Sequence, residues 1–92
     1  MISSFNDRDT ETLFKGTRVA RFANIEKVAT RKLQQLHAAA TLDFLRVPPA
    51  NRLELLKGDR AGQYSIRIND QWRICFRFEN GNATNVEIVD YH

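Results

Sequence analysis

The spacing of apolar residues changes once along the chain, at Pro48-Pro49. Before the prolines, apolar positions recur every three or four residues, the period of a helix with one buried face. Ile25, Val28, Ala29, Leu33 and Leu36 share such a face, predicting a helix from an Asn24 N-cap to about Ala40. Lys27, Arg31, Lys32, Gln34 and Gln35 fall on its other faces. A shorter helix, capped by Asp9 and ending near Gly16, turns Leu13 and Phe14 inward. Residues 2–5 are apolar enough for a short first strand, and residues 41–45 for one more helical turn before the prolines stop it.

Beyond the prolines the period falls to two. Residues 53–56 form a brief strand, followed by a polar loop over residues 57–62. Three strands then put their larger apolar residues on even numbers: Tyr64, Ile66 and Ile68; Trp72, Ile74, Phe76 and Phe78; Val86 and Ile88. One shared buried face must preserve that parity through each turn. A three-residue turn over residues 69–71 does so, setting Ile68 against Trp72, Ile66 against Ile74 and Arg67 against Arg73. The same argument makes residues 80–82 a three-residue turn, despite the Asn80-Gly81 dipeptide, with Phe76 opposite Val86 and Ile74 opposite Ile88. The predicted fold is α+β, an antiparallel sheet carrying helices on its even-numbered face.

Ninety-two residues suit a single domain spanning 1–92, with a small core. Hydrophobic residues at 42% and charged residues at 27% exclude wholesale disorder. The formal net charge of +3 favours a polyanionic partner only weakly. The single cysteine, Cys75, supports neither a disulfide framework nor a zinc site and fits a reducing, cytoplasmic setting. No apolar run is long enough to span a bilayer, and the first residues lack a secretory signal's apolar stretch, so no membrane role is expected.

Chemistry concentrates on the odd-numbered face. Arg67 opposite Arg73, with Arg77 two residues further on, makes a row of guanidinium groups whose planar forks match phosphate. Like charges directly opposite one another are unfavourable, so folding is expected to gain little from Arg73. Glu87 is the counter-charge if the row is merely a solvated face. Lys15, Arg18, Arg21, Lys27, Arg31 and Lys32 form a second basic group suited to a nucleic-acid backbone. The last five of these, with Arg60, Arg67 and Arg77, are the candidate RNA- or ribosome-binding residues. The Asp90-Tyr91-His92 run adds three titratable groups, and the register places Tyr91 on Arg73's face. His37 reads as a packing or surface residue rather than a catalytic one, and Cys75 as a strand residue without a redox role.

Residues 56–66, Leu-Lys-Gly-Asp-Arg-Ala-Gly-Gln-Tyr-Ser-Ile, followed by Trp72-Arg73-Ile74-Cys75-Phe76 and Asp90-Tyr91-His92, resemble the HigB-type toxins of the RelE/ParE superfamily. The resemblance covers nearly the whole chain. It implies a RelE-like sheet carrying helices, ribosome-dependent endonuclease activity on mRNA in the 30S A site, and neutralisation by a HigA-type helix-turn-helix antitoxin. It implies no metal and no organic cofactor. Lys57, Arg73, Asp90, Tyr91 and His92 match positions that carry activity in that family, and Glu54 stands where better-known members have a histidine. In that chemistry the message's own 2′-hydroxyl attacks the adjacent phosphate. Arg73 and Lys57 would stabilise the phosphoryl charge, Glu54 or Tyr91 would take the proton, and His92 or Lys57 would assist the leaving oxygen. Two alternatives stand beside it: a ParE-like toxin binding another essential target such as DNA gyrase, and a ribosome- or RNA-binding module without catalysis.

Overall fold

After the prolines the chain is an antiparallel meander of four strands in sequence order: β1 (Glu54–Leu55), β2 (Tyr64–Arg67), β3 (Trp72–Glu79) and β4 (Asn82–Asp90). The computed structural model describes residues 1–91, with α1 (Arg8–Phe14) and α2 (Glu26–Ala38) ahead of the meander. The even-numbered sheet face is the buried one, as the alternation predicts. Ile66, Ile74, Phe76, Val86 and Ile88 pack there with Leu13, Phe22, Ala29, Leu33 and Leu36 from the helical side. Each of the larger side chains contributes about 1.5–3 kcal/mol on burial. No helix among the described residues is long and apolar enough to cross a membrane.

The helix ends differ from the sequence expectation. Asp7, not Asp9, caps α1: its Oδ2 accepts from the Thr10 N–H at 3.2 Å. Asp9 lies within the first turn and accepts from Arg21 Nε at 2.7 Å. α2 begins at Glu26 behind the buried Ile25 and has no side-chain cap, so Asn24 does not serve as one; it ends at Ala38. Residues 2–5 join the sheet as two parallel bridges to β4, Ile2 with Ala83 and Phe5 with Val86.

The first turn holds as predicted. Ile66 faces Ile74 and Arg67 faces Arg73, and Asn69 Oδ1 accepts from the Gln71 and Trp72 N–H groups at 2.8 Å each. The second turn does not. Glu79 pairs directly with Asn82, leaving a two-residue Asn80-Gly81 turn with φ values of 53° and 79°. That is the primed geometry favoured by the twist of a hairpin. Parity is restored inside β4: between the Cys75–Glu87 and Arg77–Thr84 pairs it carries one residue more than β3. Asn85 takes up the extra residue in a left-handed conformation, φ 54°. Ala83, which a three-residue turn would set against Glu79, is therefore buried opposite Phe78, while Ile74 still faces Ile88. The bulge turns the Asn85 and Val86 N–H groups outward, where the Ser4 hydroxyl and carbonyl accept them at 2.9 and 3.1 Å. Beyond that contact the Ile88 N–H donates to Thr10 Oγ1 at 2.9 Å, so α1 completes the edge of β4.

Lys32 is not a surface cation. It turns inward from α2 and donates to Asn51 Oδ1, while Asn51 Nδ2 donates to Gln35 Oε1 and to the Leu45 carbonyl, each at 3.1 Å. This network fixes the irregular segment that leads into β1. Burial, reinforced by Arg31 and Arg67, pushes the Lys32 ammonium below its ordinary value of 10.5.

Two outcomes follow. Asn85→Val should destabilise the chain by about 1–2 kcal/mol, since a β-branched residue resists the left-handed region, while Asn85→Gly should be nearly neutral; thermal melts of the two variants separate them. For Lys32 the folded state releases its proton at lower pH than the unfolded state. Stability contributed at this site therefore rises with pH up to about 10.5. Denaturant titrations should show the parental chain gaining on Lys32→Met between pH 7 and about pH 10.5; a constant difference would place the ammonium in a water-like environment.

Candidate active site

The face of the sheet turned away from the helices carries a row across all four strands, Glu54, Ser65, Cys75 and Glu87, set by strand register. Ser65 and Cys75, paired across β2 and β3, are fully buried and form the floor of this row. Arg73 lies beside this row, opposite Arg67 and Val89. Its guanidinium Nη1 donates to Ser65 Oγ at 2.7 Å, and Nη2 donates to Glu54 Oε1 at 3.2 Å. The guanidinium carbon lies 5.2 Å from the centroid of the Tyr91 ring, within cation–π range. Its side chain is only 13% exposed, whereas Glu54 is 51% exposed. The repulsion expected from Arg67 is relieved because Arg67 turns to Asp70 at the hairpin. Arg73 is therefore a held residue, contrary to the expectation that folding gains little from it.

Arg60 closes the other side. From the 3₁₀ turn Gly58–Arg60, its Nη1 reaches across to Glu87 Oε1 at 2.7 Å and Gln63 Oε1 at 3.1 Å. The Glu87 hydrogen bond holds the Arg60 guanidinium above its ordinary value despite burial. Glu87 is thus the counter-charge of Arg60 rather than of the Arg67–Arg73–Arg77 row. Burial pushes the Cys75 thiol up, and Glu87 adds to this against the opposing pull of Arg60 and Arg73, so it stays a protonated packing residue near neutral pH. Arg77 lays its guanidinium over the loop: a Cβ on Gly62, which has φ +87°, would come within 2.7 Å of Arg77 Nη1.

Of the residues singled out in sequence, Glu54, Arg73 and Tyr91 come together. Lys57 stands exposed at the start of the 3₁₀ turn, with no ion pair among the described residues. Asp90 pairs with Trp72 and so alternates to the opposite face, where its Oδ2 accepts from Gln71 Nε2 at 3.0 Å. The Gln71 carbonyl also accepts the Tyr91 N–H at 2.6 Å, which ties Tyr91 to the first hairpin. His92 lies outside the described residues. The helical basic group separates. Arg18 pairs with Glu26, Arg21 with Asp7 and Asp9, and Lys32 is buried. Lys27 and Arg31 line a groove of about 540 Å³ between the end of α1 and α2, on the far side of the sheet from Arg73. His37 is exposed on α2, its Nδ1 accepting from the Ile2 N–H at 3.1 Å beside the Phe14 ring.

Ser65 was not among the expected residues. The register that sets Ile66 against Ile74 also places Ser65 on the Arg73 face, and that was the available signal. Among the described residues no group of three or more His, Cys, Asp or Glu side chains is placed to hold a metal ion. Chemically, the arrangement offers a fixed guanidinium for an oxyanion, an exchangeable carboxylate and a phenol beside it.

The sequence profile of the HigB-like RelE-type toxins of type II toxin–antitoxin systems matches residues 3–92. A Vibrio cholerae protein named toxin HigB-1 is 38% identical over 92% of this chain and 92% of its own. A Proteus vulgaris protein named endoribonuclease HigB is 36% identical over the full length of both. A Haemophilus influenzae protein of unassigned function is 42% identical over 70% of this chain and 63% of its own length. Among solved structures, a chain of the heterotetrameric YoeB–YefM toxin–antitoxin complex from Staphylococcus aureus superposes with a TM-score of 0.62 at 18% identity, covering 100% of this chain and 98% of that one. This last likeness is one of fold.

The geometry sets the stability outcome. Arg73→Ala removes the partner of the buried Ser65 hydroxyl and should cost about 1–2 kcal/mol, a fall of several degrees in Tm. Glu54→Gln, at a half-exposed pair, should change stability by at most about 1 kcal/mol. Thermal melts of the two variants test this ordering; equal effects would mean that the Ser65 contact contributes nothing.

Proposed function

The chain belongs to the HigB-like family of RelE-type toxins of type II toxin–antitoxin systems, and we propose that it acts as a ribosome-dependent mRNA endonuclease on the Arg73 face of the sheet. The Proteus vulgaris relative's name supports endoribonuclease activity, and the family supports an antitoxin partner. A helix-turn-helix antitoxin of the HigA type is the partner proposed here, with translating ribosomes as the target.

One observation carries the reading: the Arg73 guanidinium is already occupied by an anion. Glu54 holds the place that a phosphate would take, on the solvent-accessible side, and a half-exposed carboxylate can leave it. When the scissile phosphate displaces it, Glu54 becomes a base next to the substrate rather than a counter-ion. The message's 2′-hydroxyl attacks the phosphorus, its proton passing to Glu54 or Tyr91, and the 5′-oxygen leaves with a proton from Lys57 or His92. Arg73 stabilises the charge that builds on the phosphoryl oxygens, and the ribosome supplies the alignment of 2′-hydroxyl, phosphorus and leaving oxygen. The loop residue Lys57 and the odd-face Arg67 and Arg77 are proposed to follow the phosphate backbone; Arg60 is proposed to shape the loop instead. Lys27 and Arg31 contribute from the helical side, through contacts outside the cleavage site.

Arg73→Ala should slow cleavage of a ribosome-bound message about a hundredfold, the cost of losing one preorganised charge at a developing oxyanion. In cells, induction should stop amino-acid incorporation before thymidine incorporation. Early loss of thymidine incorporation with translation intact would instead favour a gyrase-type target.

A further inference from the structure

Ser65 is an unusual occupant of its position. It sits fully buried in β2, between Glu54 on β1 and Cys75 on β3. A buried hydroxyl is costly without a hydrogen bond, and an apolar β-former would suit this strand better by packing alone. Among the described residues its one side-chain hydrogen bond joins it to Arg73 Nη1, at 2.7 Å. The hydroxyl is thus accounted for by Arg73 alone.

The two oxygens holding the guanidinium differ in kind. Ser65 Oγ lies in the floor and is fully buried, whereas the Glu54 carboxylate is 51% exposed. An incoming phosphate competes with Glu54 for Nη2, whereas Ser65 Oγ is covered by the side chains above it. Arginine has five donors in one rigid plane, so pinning one nitrogen leaves the others with little freedom to reorient. We propose that Ser65 is a positioning residue, its hydroxyl fixing the inner arm of the Arg73 guanidinium so that the outer arm is aimed when phosphate replaces Glu54. The proposal rests on the endonuclease reading of this site. It assigns fixed and exchangeable holding to different residues, Ser65 for the first and Glu54 for the second.

The test is a double-mutant cycle on the full chain, with Ser65→Ala, Arg73→Ala and their combination assayed on a ribosome-bound message. Ser65→Ala should lower kcat about tenfold with KM nearly unchanged, the scale of a misaimed catalytic group, and should add no further loss when Arg73 is already Ala. Independently of activity, ¹⁵N relaxation of the Arg73 Nε–H should show lower order in Ser65→Ala than in the parental chain. An equal further loss in the Arg73→Ala background would make Ser65 a packing residue and overturn the proposal. Unchanged kcat and unchanged Arg73 order in Ser65→Ala would overturn it while leaving the endonuclease reading intact. Parental cleavage by Arg73→Ala would overturn both.

Discussion

A two-residue primed turn and a single buried face make opposite demands on the β3–β4 pair. The turn sets Glu79 against Asn82, which places odd-numbered β4 residues such as Ala83 in the core. The core also needs Val86 and Ile88, which are even. One extra residue at Asn85 satisfies both, and the site depends on that count. Because the slip occurs once, Val89 faces Arg73 and Tyr91 follows on the same side, its ring beside the guanidinium. Without it, Asp90 would come round to that face and Tyr91 would turn toward the helices. A carboxylate would then meet a guanidinium already holding one. The register of a hairpin thus sets the chemistry at its far end.

The sheet separates two kinds of order. Its helical face is apolar, and the Lys32 ammonium buried near it is held by an amide oxygen. Its other face is an arrangement of paired charges over a small buried floor, with Arg60 reaching Glu87 and Arg73 reaching Glu54. Arginine suits such a face because its fork can be held at one nitrogen and remain available at another. The same pairing explains why neighbouring guanidinium groups are tolerated: Arg67, Arg73 and Arg60 each have their own acceptor.

Much of this was legible in sequence because alternation is a geometric constraint. Even-numbered burial, the α+β class, the 69–71 turn and the approach of Tyr91 to Arg73 all follow from period two and one register. The second turn was misread because parity was applied as though strands could not change phase internally. Nothing in the identity of Asn85 announces a bulge, although asparagine tolerates the left-handed region better than most residues. Lys32 was misread for a different reason: helical periodicity places it beside Leu33 but does not reveal that Asn51 waits in the following segment. Arg73 was recognised, but the oxygens that hold it, on Ser65 and Glu54, were not paired with it. A charge is visible in sequence, whereas its acceptors come from strands eight and nineteen residues away.

The contact between Ser4 and the bulge spans 81 residues of chain. Closing so long a loop is entropically expensive and is repaid only after its acceptor site exists, whereas the two tight hairpins need only local closure. The expected order is the meander first and the docking of the amino-terminal segment last. Until it does, the Asn85 and Val86 amides lie on an open sheet edge, the kind of surface on which a second strand can pair. Such an order leaves an interval in which the bulged edge stands open to pairing with another strand.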